Sequence, residues 1–292
     1  MATVTLAIAI VTFNTRDLLL QCLHSVIEDA DRGGRTYRVI VVDNASTDGT
    51  VTAVKQAFPL VELIANTTNV GLAPALNQGL RACADATYVL LMNSDIKVRP
   101  NTVGPMMDYL DGHPQVAGVS VQLVNPDGSR QKFRTAFGPV LFPEQLDRTF
   151  PVTFFGTTFH MGRRPIYNPD QVGGFDEYYF FFNEDLDWSI RAHRKGLVFH
   201  YLPHLAVVHY GGQGRAQNRD RLLSDFYRMN LYFYAKFYGR ALTRVVYLIQ
   251  TAELLGRLTA LRLTGRYDSR EARAYRVALA DQRRFMDQSI RS

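Results

Sequence analysis

Two cysteines, Cys22 and Cys83, are all the thiol chemistry in this 292-residue chain, and Trp188 is its one tryptophan. Each cysteine sits inside an apolar, helix-like pattern. Such a pair offers neither a metal-ligand spacing nor a disulfide framework, and suits a reducing compartment. A spanning helix needs about 20 largely uncharged apolar residues. The nearest approach, 241–263, is interrupted by Arg244, Glu253, Arg257 and Arg262, so it does not qualify. No basic, then apolar leader precedes the first strand pattern, and a signal peptide is not expected. A G-x-G-x-x-G after the first strand is also missing. Without it the backbone cannot closely approach a pyrophosphate at a helix start, which disfavours an NAD-dependent oxidoreductase.

What is present is an ordinary globular composition, 47% hydrophobic and 21% charged, enough for one large domain or a domain with an appendage. The charge is unevenly spread. From Gln213 onward there are 16 basic and 7 acidic residues, a balance of +9. With +6 overall, the first 212 residues carry −3. The basic tail reads as helical from Arg221 and mixes aromatic with basic residues over Phe226 to Tyr238. A helix of that kind suits an anionic membrane surface, at the headgroup level, better than it suits nucleic acid. Packing against the rest of the chain or in a homodimer is the competing use. The expected division is therefore a domain over 1–212 and a helical, basic extension over 213–292.

Residues 5–125 alternate apolar runs of strand length with segments of helical spacing. Strands are expected at Leu6–Phe13, Arg38–Val42, Val61–Ala65, Tyr88–Met92 and Val116–Leu123. Helices are expected at Leu18–Ile27, Thr50–Phe58, Ala75–Ala84 and Thr102–Leu110. Continuous apolar strands alternating with helices predict an α/β fold with a mostly parallel sheet covered on both faces. Such sheets bind ligands beyond the carboxyl ends of their strands. Polar residues gather at three of those ends, Thr12–Asn14, Asp43–Asp48 and Asn93–Asp95. Residues 126–172 are less regular, with a strand expected near Thr157–Met161. Further on, the pattern gives a helix over Glu184–Lys195 and short strands near Val198–Tyr201 and Ala206–His209.

The most distinctive segment is Gly173–Trp188, which sets Asp176, Glu184, Asp185 and Asp187 around the aromatic run Tyr178–Phe182. A carboxylate beside so much ring surface is expected to be partly desolvated and to hold a proton more tightly. It could then take a proton from a hydroxyl near neutral pH. Acids in the first turn of a helix, favoured by its dipole, are the plainer reading, and the two are compatible.

Gly-Gly-Phe-Asp-Glu at 173–177 followed by Glu184-Asp185 resembles the inverting family 2 glycosyltransferases of GT-A fold, most closely the rhamnosyltransferase-type members that build bacterial surface polysaccharides. Together with the strand-end segments and Val207–Gly212, the matching motifs span about residues 5 to 212. The resemblance implies a Rossmann-like GT-A domain with a C-terminal helical extension. It implies a nucleotide-sugar donor, dTDP- or UDP-linked, and a saccharide or lipid-linked saccharide acceptor. The place of action would be cytoplasmic, peripheral at the inner face of the cell membrane.

Carried onto this chain, the resemblance puts the donor nucleotide against Thr12, Phe13 and Asn14, with Asp43 accepting the ring N–H of the base. Asn69, Gly71 and Asn77 of the Asn-x-Gly segment would also lie near the donor. Asn93, Ser94 and Asp95 stand at the family's Asp-x-Asp metal motif, with Asn93 in place of the first acid. Asp95 and His209 would hold Mg²⁺ or Mn²⁺, with diphosphate oxygens completing the oxygen-rich shell such ions prefer. Asp185 is the expected general base, Glu184 orients the acceptor or a neighbouring group, and Asp176 contacts the acceptor or braces its loop. Trp188 is a candidate to stack on an acceptor sugar, against the alternative of core packing. Asp48 is expected to cap a helix. The Gln-x-x-Arg-Trp motif of processive polysaccharide synthases is absent. A sugar nucleotidyltransferase would need a Gly-rich, basic phosphate loop near the N-terminus, which is missing. A non-catalytic nucleotide-sugar binder has only Asn93 in its favour.

Overall fold

The computed structural model describes residues 4–131, 134–135, 138–139, 149–211 and 219–291. The chain forms two units, Met1–Tyr178 with Glu184–Gly214, and Tyr179–Asn183 with Arg215–Ser292. The boundary expected at 212–213 lies outside the described residues. A single cut there would in any case miss that Tyr179–Asn183, in the middle of the acidic and aromatic motif, groups with the C-terminal helices.

In the first unit, β1 (Val4–Thr12), α1 (Arg16–Arg32), β2 (Tyr37–Asp43), α2 (Thr50–Ala57), β3 (Glu62–Ala65), α3 (Leu72–Ala82) and β4 (Ala86–Asn93) follow the expected alternation. The strands pair in parallel as β3-β2-β1-β4. Leu6, Ala7, Ile8, Ala9 and Ile10 are at most 1% exposed, so β1 is buried on both faces. That is why the strand reads as a continuous apolar run rather than an alternating one. Leu6, Ile8 and Ile10 share a core with Leu19, Cys22, Leu23 and Val26 of α1. Burying each such aliphatic side chain contributes about 1.5–3 kcal/mol. Burial also pushes the Cys22 thiol far above its ordinary range, which leaves it unreactive.

The second half of the unit adds β5 (Ile96–Val98), α4 (Val103–Gly112), β6 (Val116–Val124), β7 (Arg134–Thr135), β8 (Gly138–Pro139), β9 (Phe150–Val152), β10 (Phe159–Arg163), α5 (Glu184–Arg194) and β11 (Val198–His209). The large sheet runs β3-β2-β1-β4-β10-β6-β11-β5, with β9 on β11. Strand β10 enters antiparallel between β4 and β6. Gly118 in β6 makes room for it, because a Cβ there would lie 2.8 Å from both the Met161 carbonyl oxygen and the Phe155 ring. The two short strands expected after residue 198 are one strand whose pairing with β6 slips between Leu202 and Ala206. The parallel register sets Thr12 beside Asp43 and Val11 beside Asn93, so three polar strand ends share one edge of the sheet.

The second unit contains α6 (Arg219–Leu263), broken at Gly239 (φ 80°), and α7 (Arg270–Arg291). Tyr227, Leu254, Leu258 and Leu261 of α6 pack on Ala272, Tyr275 and Ala278 of α7. Among the described residues no helix is long and apolar enough to cross a membrane. The Phe226–Tyr238 stretch is not the lipid-facing surface its composition suggested. Tyr227, Met229, Leu231 and Phe233 are buried, and these side chains spend their apolar area inside the protein. The aromatic run before α5 joins them. Tyr179 meets Tyr232 edge-on, the Arg221 guanidinium lies 3.6 Å over Phe180, and Phe182 meets Phe226 edge-on. Asn183 Nδ2 donates to Asn230 Oδ1 at 2.8 Å.

Candidate active site

The first corner of the site is built by the β1 and β2 ends. Asn14, in a left-handed conformation (φ 50°), accepts the Thr47 N–H at 2.7 Å through its side chain and donates its own N–H to Ser46 Oγ at 2.8 Å. Thr12 hydrogen-bonds Thr15 at 2.9 Å, and Thr15 reaches Ser94 at 2.8 Å, which ties β1 to the end of β4. Phe13 is half-buried between Thr12 and Asn14. Asp43 is buried; its Oδ2 accepts the Ser46 N–H at 2.9 Å, and its Oδ1 has no hydrogen-bond partner. A buried acceptor left unpaired costs about 1–3 kcal/mol, more when charged, so a donor supplied by a ligand would be stabilised there. Asp48 precedes rather than occupies the cap of α2, which is Gly49. Its carboxylate accepts the N–H groups of Thr50 at 3.1 Å and Arg16 at 2.9 Å. Burial opposes its charge, but these hydrogen bonds together with that from the Thr50 hydroxyl outweigh burial and hold its pKa below the usual value.

An amide cluster forms the second corner. Asn44 donates to Asn69 Oδ1 and to the Gly71 carbonyl, both at 3.0 Å, and accepts from Val70 N–H and Asn66. Gly71 takes φ 96° at the start of α3, a conformation that favours glycine. Asn77 is a correction to the donor-binding reading. Its Nδ2 donates to the Phe175 carbonyl and to Glu177, and its Oδ1 accepts the Phe175 N–H, at 2.8–2.9 Å. With both donors engaged, it braces the Gly-Phe-Asp-Glu loop rather than a nucleotide. Gly174 permits this: a Cβ there would lie 2.4 Å from Asn77 Oδ1.

At the third corner, Asn93 donates its N–H to the Thr158 carbonyl at 3.0 Å, and Asp95 accepts the Tyr210 N–H at 3.0 Å on its backbone oxygen. Asp95 Oδ1 is buried without a hydrogen bond, 3.4 Å from His209 Nε2. His209 Nδ1 lies 2.7 Å from Gln131 Oε1, while Gln131 Nε2 donates to the His209 carbonyl. A carboxamide oxygen only accepts, so in the neutral ring Nδ1 carries the proton and Nε2 keeps its lone pair. A hydrogen-bonded far nitrogen and a free near one is the usual arrangement of a metal-ligating histidine. The pair therefore fits a divalent cation as two donors. Among the described residues no group of three or more His, Cys, Asp or Glu side chains could hold a metal, so further ligands would have to come from diphosphate and water.

The fourth corner is α5, whose first turn carries Glu184, Asp185 and Asp187. Two consecutive left-handed residues, Phe182 (φ 71°) and Asn183 (φ 65°), deliver the chain to it. Such conformations cost about 1–3 kcal/mol each and persist only where the surroundings hold them. Glu184 is buried, whereas Asp185 is half-exposed. The Asp185 side chain accepts the Leu186 N–H at 2.8 Å, and its Oδ2 faces Gly156, where a Cβ would come within 3.6 Å. Gly156 also borders a cleft lined by Ser120, Leu123, Phe154, Thr158 and Tyr201. The rings of Tyr179 and Phe182 meet Tyr232 and Phe226 of α6, and that of Phe180 lies under Arg221. Asp187 is fully buried and pairs with Arg191 at 2.7 Å, while Arg191 donates to the Val172 and Gly174 carbonyls. Asp176 is half-buried and caps a local turn at Tyr178 N–H.

Trp188 is also corrected. It is fully buried, donates to the Gly173 carbonyl at 2.9 Å, and packs among Phe155, Tyr167, Phe175 and Phe199, so it cannot stack on an acceptor. The same core contains His160, whose Nδ1 donates to the Gly156 carbonyl at 2.6 Å and whose Nε2 accepts from Tyr167 at 3.0 Å. Burial holds its pKa down at about 4. As pH falls through the unfolded value of about 6.5, the unfolded chain takes up a proton that the folded chain refuses, so stability drops until pH reaches the folded value. Between about pH 7 and pH 5 this should cost ~2 kcal/mol. Urea unfolding of wild type and His160→Gln at both pH values checks it: the variant's pH slope should be shallower by that amount, and equal slopes would refute the assignment.

Sequence reading missed Gln131, Thr15, Asn44 and Gly156 as parts of the site. Asn44 had a signal, since it follows Asp43 at a strand end. The other three had none, because their roles depend on partners 29 to 79 residues away.

Comparison with known proteins gives a consistent picture. Residues 7–169 match the family model Glycosyl transferase family 2. The chain is 26% identical over 233 residues to N-acetylglucosaminyl-diphospho-decaprenol L-rhamnosyltransferase of Mycobacterium tuberculosis, covering 69% of this chain and 75% of that one. It is 25% identical over 214 residues to the dTDP-rhamnosyl transferase RfbF of Shigella flexneri, covering 68% and 67%. Among solved structures, the mannosyltransferase PcManGT of Pyrobaculum calidifontis, in complex with GDP-Man and Mn²⁺, superposes with a TM-score of 0.57 at 18% identity, covering 97% of this chain and 88% of that one. S. aureus TarS 1-349 superposes with a TM-score of 0.58 at 14% identity, covering 98% and 91%. At these identities the structural likeness shows the fold, which is GT-A.

Proposed function

The chain belongs to glycosyl transferase family 2, and from that premise we propose an inverting transfer of a sugar from a nucleotide diphosphate donor to a saccharide or lipid-linked saccharide of the cell envelope. The donor is dTDP- or UDP-linked, with dTDP-rhamnose the first choice, since both curated relatives are rhamnosyltransferases by name. The reaction takes place at the inner face of the membrane, where a lipid-linked acceptor is accessible.

One observation carries this reading. The Asp185 carboxylate rests against Gly156, and two residues later the Thr158 carbonyl accepts the Asn93 N–H. Two residues of extended chain span at most ~7 Å. The acid of α5 is thereby tethered close to the strand end that bears Asp95.

In this reading Asp43 Oδ1 accepts the ring N–H of the base, while Asn14 and the Asn44–Asn69 cluster shape the floor on which the nucleoside lies. Asp95 Oδ1 and His209 Nε2 hold Mg²⁺ or Mn²⁺. When bound, the ion offsets the charge that grows on the departing diphosphate. Asp185 removes the proton from the acceptor hydroxyl as its oxygen attacks the anomeric carbon from the face opposite the diphosphate. Glu184, buried behind it, sets the orientation of this first turn, and Asp176 borders the acceptor side.

Thermal unfolding in the presence of nucleotide sugars tests the donor assignment. At about 100 times its Kd a ligand stabilises by ~2.7 kcal/mol, worth roughly 5 °C or more in a domain of this size. dTDP-rhamnose should raise Tm by that amount, and more with Mn²⁺ present. If no dTDP- or UDP-sugar moves Tm with or without the metal, the reading fails.

A further inference from the structure

The C-terminal half of α6 carries an apolar face that none of the described residues covers. Beyond the break at Gly239, one side of the helix packs on α7 through Leu254, Leu258 and Leu261. The opposite side exposes Leu242, Val245, Leu248, Ile249, Leu255 and Leu263, each 40–83% accessible. Ala241, Ala252, Gly256, Thr259 and Ala260 are exposed between them. On a helix of 3.6 residues per turn these positions form one continuous stripe, ~33 Å long, with no charged side chain in it.

The charges lie along its borders. Arg244 and Arg262 fall on one edge, neither with an acidic partner among the described residues. On the other edge Arg257 is paired with Glu253 at 2.8 Å. From Gln213 onward the sequence carries +9. An uncharged stripe with arginines at its margin is the pattern of a helix lying in the plane of an anionic bilayer, its apolar side sunk about 5–10 Å into the headgroup boundary. A second copy of the chain fits less well. In an antiparallel pairing centred on Glu253, Arg244 of one copy would approach Arg262 of the other, and like charges would meet at both ends of the contact.

We propose that the 242–263 face of α6 is a docking surface for anionic lipid, which holds the protein at the membrane. This deepens the reading of a lipid-linked acceptor, but its test needs neither donor nor acceptor.

The experiment is flotation of the full chain with vesicles of phosphatidylcholine containing about 30% phosphatidylglycerol, and with phosphatidylcholine alone. Wild type should float with the anionic vesicles and lose binding as salt is raised. Leu248→Glu with Ile249→Glu should abolish flotation. Both side chains are exposed, so Tm should be unchanged. Arg244→Gln with Arg262→Gln should weaken partitioning by roughly 30-fold. Absence of wild-type flotation would overturn the proposal. So would light scattering that shows a dimer which the Leu248→Glu, Ile249→Glu protein no longer forms. Neither outcome touches the transferase assignment, which is read separately from nucleotide release with a soluble acceptor.

Discussion

Asp185→Asn should lower turnover by about 10²–10⁴-fold while leaving donor affinity near that of wild type. A positioned general base contributes that much, equivalent to ~3–5.5 kcal/mol of barrier. The substitution is close to isosteric, and its carboxamide oxygen can still accept the Leu186 N–H that Asp185 accepts at 2.8 Å. The start of α5 should therefore survive. What disappears is the basic lone pair that takes the acceptor's proton. The proper measurements are kcat by release of the nucleoside diphosphate and Kd for the donor by calorimetry. A variant within threefold of wild type in kcat would remove Asp185 from the role. Loss of donor binding together with kcat would instead indicate damage to the fold. Glu184→Gln offers a control of different character, since Glu184 is buried while Asp185 is half-exposed.

Asp95→Ala should produce the second large effect, a fall in kcat/KM of roughly 10²-fold or more, because Lewis-acid stabilisation of a leaving diphosphate is worth several kcal/mol. Asp95 Oδ1 is the one carboxylate oxygen within ion-pair reach of His209 Nε2 among the described residues, at 3.4 Å. Removing it leaves the His209 imidazole as the one protein donor at that corner among the described residues. The Mn²⁺ concentration giving half-maximal rate should rise steeply, and the Mn²⁺ resonance signal in the presence of nucleotide should show weaker binding. If rates and metal titration are both unaltered, Asp95 does not hold the ion. Asn93 in the place of a first acid makes the assignment sharper, because no neighbouring carboxylate at that position could compensate.

Much of the scaffold was legible from local pattern. The uninterrupted apolar run Leu6–Ile10 predicted a strand covered on both faces, and the structure buries it so completely that neither face has room for a polar side chain. The polar strand ends at Thr12–Asn14, Asp43 and Asn93–Asp95 were visible because an apolar run must stop where solvent or ligand begins. Direction and insertion were not. β10 reads Phe-His-Met-Gly-Arg, with no continuous apolar run, and its antiparallel entry between β4 and β6 depends on Gly118 yielding space to Met161 and Phe155.

The side chains whose roles changed share a physical cause. Asn77 lies one turn from Ala73 on α3, just after the Asn-x-Gly segment, which reads as a ligand-facing position. Its amide, however, matches the peptide of Phe175, 98 residues away, and is saturated there. From the sequence, Trp188 is a candidate sugar platform set against core packing, the commoner use of such a ring. Five other rings close around it, among them His160, which settles the matter.

By itself the sequence determined the sheet-and-helix alternation, the edge of the sheet where polar groups collect and the acids that open α5, since all three follow from periodicity and from where apolar runs end. Tertiary structure alone decided which of those polar groups remain available for a ligand. It engaged Asn77 with a distant peptide, left Asp43 Oδ1 and Asp95 Oδ1 unbonded, set Gln131 behind His209, and turned the aromatic run into the C-terminal helices. The reason is that a hydrogen-bonding group is committed by whichever partner the fold brings within about 3 Å, and that partner is often far away along the chain.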